Sequence, residues 1–381
     1  MPPQSPQAQP QSPPRPADPP APQPVLTPLT AAAIFLVLTV DPGGEDAVRA
    51  LLPDLAGLRH AIAFRAPDVG LTCVTGIGSD AWDRLFDGPR PAALHPFPEV
   101  AGPRHRAPAT PGDLLLHIRA ARMDVCWELA GRITRRLAGA ATVVDATNGF
   151  SYYDARDLLG FVDGTENPEG REAADAVLIG DEDQEFAGGS YVIVQKYLHD
   201  LASWEHQTVD QQERAVGRSK ADDIEFDDAA KPADSHVALT SVTGPDGEER
   251  QILRFNMPFG RLDGGPAGRG EAGTYFIGYA RDPGVPEEMI RNMFAGRGPA
   301  AHDRLLDFST AVTGTLFHVP TADFLADPPP APATPAPAVV PAPSPTTALP
   351  ATALPSTALP TAVLPTDGSL AIGSLKGTPA P

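Results

Sequence analysis

Apolar and polar positions follow readable periods only between about residues 26 and 325. Ala31–Val40 (AAAIFLVLTV) is a continuous apolar run closed by Asp41-Pro-Gly-Gly, a strong turn signal, and predicts a buried strand. It is too short to span a bilayer, which needs about 20 residues. Glu45–Leu58 has helical spacing, Ala61–Arg65 and Gly70–Thr75 read as strands, and Asp113–Ala120 as a further strand. Met123–Leu137 carries apolar residues at helical spacing with basic residues in its last turns, where the helix dipole favours them. Ala141–Asp145 is a short strand. A second set follows: strand Ser190–Tyr197, helix Leu201–Ala215, strands His236–Val242, Gln251–Met257 and Thr274–Tyr279, and helix Pro286–Met293. Strands and helices intermix without strict alternation, which predicts an α+β fold with antiparallel sheets. The order suits two halves, about 26–155 and 185–325, although no residue-level repeat relates them.

Composition restricts the folded part. The 46 prolines are concentrated in residues 1–25 and 326–366, where Pro, Ala, Gln, Ser and Thr leave too little apolar surface to offset conformational entropy. Both segments are expected to be disordered. A formal net charge of −19 argues against nucleic acid and anionic membrane as partners, since both demand a basic footprint. The two cysteines, Cys73 and Cys126, lie far apart in apolar surroundings and read as buried thiols in a reducing compartment. No basic region followed by an apolar core marks a secretory signal, so a cytoplasmic protein is expected.

Three segments carry candidate chemistry. In Gly160-Phe-Val-Asp-Gly-Thr-Glu-Asn-Pro168 an acid is bracketed by glycines and apolar residues, although a lone Asp-Gly is more often a plain turn. In Lys231-Pro-Ala-Asp-Ser-His-Val-Ala-Leu-Thr240, His236 opens an apolar stretch; an isolated His is more often a satisfied core residue. In Ile252-Leu-Arg-Phe-Asn-Met-Pro-Phe-Gly260, strand alternation puts Leu253, Phe255 and Met257 on one face and Arg254 with Asn256 on the other. A guanidinium on such a strand needs an anion, and a structural carboxylate would serve as well as a ligand. His206 and Asp210 have helical spacing for a shared metal, but nothing supplies further ligands.

These motifs, in this order, resemble the dye-decolourising peroxidases, most closely the shorter bacterial branch called B-type. The resemblance covers nearly all of residues 26–325. It implies two ferredoxin-like halves with one haem b per chain held in the second. It implies His236 as the axial iron ligand, Asp163, Arg254 and Asn256 on the peroxide side, Arg218 as a propionate contact, and Asp307 as the carboxylate accepting the imidazole N–H. Hydrogen peroxide and an organic reductant are then the substrates. Asp163 would shuttle a proton between the peroxide oxygens, Arg254 would stabilise the leaving oxygen, and Asn256 would orient peroxide or water. There is no Cys-x-x-Cys-His, so covalent attachment of that type is excluded. Trp127, Trp204, Tyr152, Tyr153 and Tyr197 are available for electron transfer, with ordinary packing as the competing role. A haem-handling protein with little turnover is the alternative reading; the intact Asp163, Arg254 and Asn256 set favours the enzyme.

The chain's last segment breaks the Pro/Ala composition before it. Asp367-Gly-Ser-Leu-Ala-Ile-Gly-Ser-Leu-Lys-Gly377 places Leu370, Ile372 and Leu375 at spacings that anchor an extended peptide in an apolar groove. It resembles the cargo-loading peptides of encapsulin nanocompartments. That resemblance implies a shell protein as partner for residues 367–381, and an oligomeric enzyme would gain from presenting several tails.

Overall fold

The first apolar run is a strand, β1 (Ala32–Val40), and it is apolar throughout because both of its faces are buried. Ile34, Leu36 and Leu38 belong to a core shared with helices Glu45–Leu51, Leu55–Ala63 and Met123–Arg136. Phe35 and Val37 belong to a second core that includes Val74, Leu115, Tyr275 and Phe317. The structure is a computed structural model, in which residues 20–164, 166–262 and 270–333 are described.

Three further strands complete a first sheet half: β2 (Thr72–Gly78), β3 (Leu114–Ala120) and β4 (Ala141–Phe150). A second half holds β5 (Ser190–His199), β6 (Leu253–Arg254), β7 (Met257–Gly260), β8 (Ala272–Ala280), β9 (Ser309–Ala311) and β10 (Thr315–Val319). The spatial order is β6-β8-β5-β10-β2-β3-β1-β4, with β7 also on β8 and β9 also on β5, and every pairing is antiparallel. Each half follows the ferredoxin-like strand order, and the halves join where Phe317 pairs with Gly78 and His318 with Ile77. The fold is therefore α+β with two ferredoxin-like halves, merged into one sheet. Phe35 of β1 stacks on Tyr275 of β8 at 4.1 Å between ring centroids. At the sheet's far ends, a Cβ on Gly149 of β4 would lie 2.6 Å from the Met257 Cβ of β7. The ends thus approach one another, and the second core lies inside the curl.

Several elements differ from the sequence expectation. Ala61–Arg65 is no strand: most of it is the last turn of helix Leu55–Ala63, whose buried Leu55 and Ile62 share a face seven residues apart. A short apolar run fits either period. Pro53 breaks the helix expected over Glu45–Leu58 at the tight turn Leu52–Asp54. The helix expected over Leu201–Ala215 is two, Leu201–Glu205 and Val209–Val216. The second is opened by a Thr208–Gln211 capping box. His236 does not start a strand but a one-turn helix, His236–Thr240, capped by Ser235, whose hydroxyl accepts the Ala238 N–H. Among the described residues no helix is long and apolar enough to cross a membrane. Leu370, Ile372 and Leu375 lie outside the described residues.

Candidate active site

Asp163, His236, Arg254 and Asn256 all line one cavity of about 760 Å³, a size typical of small-molecule sites. The segments that carry them are far apart in sequence and are brought together by the edge of the second sheet half. The loop after β4 turns back on itself with Gly160 and Gly164 at φ +90° and +85°. A side chain at Gly160 would also collide with Lys220, 2.6 Å from its Cβ position. These glycines serve the turn that presents Asp163, and Gly164 itself lines the cavity.

The strand expected over Gln251–Met257 is interrupted at the site. Asn256 accepts the Ile277 N–H on its side-chain oxygen at 3.1 Å, which replaces a ladder bond. Its amide nitrogen lies 3.5 Å from Asp163 Oδ1. From the other edge Asn167 imitates a strand: its Oδ1 accepts the Arg254 N–H at 2.9 Å and its Nδ2 donates to the Arg254 carbonyl at 2.7 Å. Asn167 therefore holds the backbone that aims Arg254. Sequence reasoning missed it, and the only signal was its place four residues after Asp163. The Arg254 Nε is buried without a hydrogen-bond partner among the described residues. An unpaired guanidinium nitrogen at a cavity wall is suited to an anionic or strongly polar ligand.

The carboxylate on the histidine is Asp303, not Asp307. His236 Nδ1 lies 2.7 Å from Asp303 Oδ2, and Asp303 is fully buried. Its other oxygen accepts the Leu305 N–H at 2.8 Å, so the carboxylate is held from both sides. Asp307 instead meets His105, His302 and Arg104. The two aspartates flank one turn, Arg304–Asp307, and only the folded turn shows that the N-cap position faces His236. With Nδ1 committed to Asp303, His236 keeps Nε2 for a metal, and the partner carboxylate strengthens it as a donor. The other imidazole on the cavity wall, His199, is spent: its nitrogens meet Thr274 Oγ1 at 3.0 Å and Ser309 Oγ at 2.8 Å. Burial pushes its pKa down to about 4.

Asp157 is a second acid of the cavity wall that the sequence did not mark. Burial and the neighbouring Asp163 charge raise its carboxyl to about 7, against the bond it accepts from the Phe161 N–H at 3.0 Å. Arg218 also lines the cavity, buried, with its guanidinium shared among Glu166, Asp223 at 2.8 Å and Glu225 at 3.7 Å. A propionate contact would compete with these carboxylates. Trp204 and Tyr197 are core residues; the Trp204 indole donates to the Leu159 carbonyl at 2.8 Å. Trp127, Tyr152 and Tyr153 are exposed.

The residues fit a haem. Val216, Ile252, Phe276 and Met293 give apolar walls for a flat macrocycle, Arg254 offers an unsatisfied cationic donor, and His236 offers a carboxylate-backed imidazole.

Comparison with known proteins agrees with this geometry. The family model described as "Dyp-type peroxidase, N-terminal" matches residues 22–151, and "Dyp-type peroxidase, C-terminal" matches residues 154–324. A dye-decolorizing peroxidase of Rhodococcus erythropolis is 61% identical over 309 residues, covering 81% of this chain and 89% of the relative. One from Mycobacterium tuberculosis is 58% identical over 356 residues, covering 93% and 97%. The encapsulated DyP-type peroxidase from Mycobacterium smegmatis, solved by cryo-EM, is 60% identical with a TM-score of 0.79, covering 82% of this chain and 100% of that one. DyPB from Rhodococcus jostii RHA1 is 53% identical with a TM-score of 0.77, covering 81% and 98%. A variant of that protein, solved in complex with heme, has a TM-score of 0.76 at 53% identity, covering 81% and 98%. With both family models and relatives of this identity covering most of its length, the chain belongs to the Dyp-type peroxidase family and is a haem-dependent peroxidase of the dye-decolourising type.

Proposed function

We propose that the chain, which would hold one haem b through His236, uses hydrogen peroxide to oxidise dyes or phenolic compounds. The observation that carries this reading is the 2.7 Å contact of His236 with the buried Asp303, in a cavity that also holds Asp163, Arg254 and Asn256. A haem held by His236 would supply the redox chemistry that the reaction with peroxide requires. Asp163 carries a proton from one peroxide oxygen to the other, as a positioned base next to the substrate. Arg254 stabilises negative charge on the departing oxygen, with its backbone fixed in advance by Asn167. Asn256, anchored through Ile277, holds its amide toward Asp163 and orients peroxide or a water between them. Asp303 keeps His236 in one tautomer and raises its donor strength. Purified His236→Ala protein is expected to lose its haem and its Soret band. Full haem content with an unchanged spectrum would refute the assignment.

We further propose that residues 367–381 load an oligomeric form of this enzyme into an encapsulin shell, with 326–366 as a spacer. The encapsulated relative supports this.

A further inference from the structure

Away from the cavity wall, two histidines and an aspartate from distant segments converge. His105 sits in the turn of the small hairpin Val100–Ala101/Arg106–Ala107. His302 immediately precedes Asp303, and Asp307 ends the turn that Asp303 opens. His105 Nε2 and His302 Nε2 each lie 3.1 Å from the same atom, Asp307 Oδ1, and the three ligand atoms lie within 4.8 Å of one another. The two imidazole rings are 4.8 Å apart between centroids.

We propose that His105, His302 and Asp307 form a second metal site, for a divalent transition ion of the zinc class. Two imidazoles and one carboxylate are the borderline-soft donor set that zinc prefers, and three protein ligands with an open fourth position are common for it. Metal–ligand bonds of about 2.0–2.1 Å in a tetrahedron put neighbouring donor atoms about 3.3 Å apart. The two His–Asp307 separations of 3.1 Å are close to that edge, and the two histidines, with all three ligand atoms within 4.8 Å, close toward it as the ion enters. Without an ion, both imidazoles crowd one oxygen, and the His302 Nδ1 is buried with no hydrogen-bond partner among the described residues. His302 is nearly buried whereas His105 and Asp307 are partly exposed, so solvent supplies the fourth ligand. Arg104 lies 3.6 Å from Asp307 Oδ1, but its side chain is 65% exposed and swings into water when a cation arrives. The missing acceptor on His302 Nδ1 lowers ligand basicity, so an exchangeable site of micromolar affinity is expected, in contrast to a structural zinc.

Calorimetric titration of chelator-treated, haem-loaded full-length protein with zinc chloride tests this, alongside His105→Ala, His105→Gln and Asp307→Asn. The wild type is expected to bind one zinc per chain at this site, and each variant to bind it at least 10-fold more weakly. His105 lies in an exposed turn, so its two replacements keep the fold, as an unchanged haem spectrum would report. Zinc K-edge absorption of the loaded wild type should show imidazole scattering from two histidines. Identical titrations for wild type and the His105 variants, or a zinc shell of oxygen alone, would overturn the proposal.

Discussion

Replacing Asp303 by Asn tests the carboxylate behind His236, the proposed haem ligand. Asp303 is fully buried, with one oxygen 2.7 Å from His236 Nδ1 and the other accepting the Leu305 N–H at 2.8 Å. Its own N–H donates to the Met293 carbonyl at 2.8 Å. Asn keeps the shape and the backbone bond, but its single amide oxygen accepts from His236 or from Leu305 and not from both, so the substitution removes the negative charge together with one acceptor. Partners of this kind typically change metal-site properties by about 10–100-fold. Taken as differential stabilisation of the ferric over the ferrous state, that is roughly 1.4–2.7 kcal/mol. For a one-electron couple it is about 60–120 mV. The sign follows from the charge: an anion behind the imidazole favours the more oxidised iron, so the midpoint potential rises in Asp303→Asn. Spectroelectrochemical titration of the purified variant, in the presence of a chelator, measures it. Asp307→Asn is the control, because that carboxylate meets His105 and His302 instead of His236. A shift in Asp307→Asn equal to or larger than that in Asp303→Asn would refute the reasoning and restore Asp307 as the partner.

Arg254→Leu should slow the reaction with peroxide more than Asp163→Ala, by about 10²–10³-fold from loss of a preorganised donor, because water replaces a base in part; stopped-flow spectroscopy ranks the two. Asn167→Ala removes both bonds that hold the Arg254 backbone and should lower kcat/KM by up to about 10²-fold without loss of haem, as a small misplacement suffices. Asp157 makes stability depend on pH. Its carboxyl is raised by burial and by Asp163 from 3.8 to about 7, so the folded state holds the proton more tightly and stability falls as pH rises through that window. Asp157→Asn should therefore melt higher than wild type at pH 8, by at most roughly 4 kcal/mol, with the gain vanishing near pH 4. Deleting residues 367–381, or changing Leu370, Ile372 and Leu375 to Asp, should abolish packaging on co-expression with a shell protein while leaving peroxidase activity intact.

The candidate site was legible in the chain through the resemblance of its motifs taken together, since Asp163 and His236 taken alone read as ordinary structure. Asp163, His236, Arg254 and Asn256 line one cavity, and the alternation around Arg254 already set it and Asn256 on a face apart from Leu253, Phe255 and Met257. The long elements Ala32–Val40, Met123–Arg136 and Ala272–Ala280 were equally visible, because burial over many residues leaves either a continuous apolar run or a period. Tertiary structure decided what depends on distance. Asp303 and Asp307 are both acids on one short turn, and only its packing against His236–Thr240 shows which one the imidazole meets. Asn167 and Asp157 carry no motif; one matters because its amide fits against the backbone of Arg254, the other because the fold brings it beside Asp163. His105 joins His302 and Asp307 across about two hundred residues, a proximity that no local period encodes. The two ferredoxin-like halves share no readable repeat, since a sheet order is specified by which apolar faces meet and many sequences satisfy the same faces.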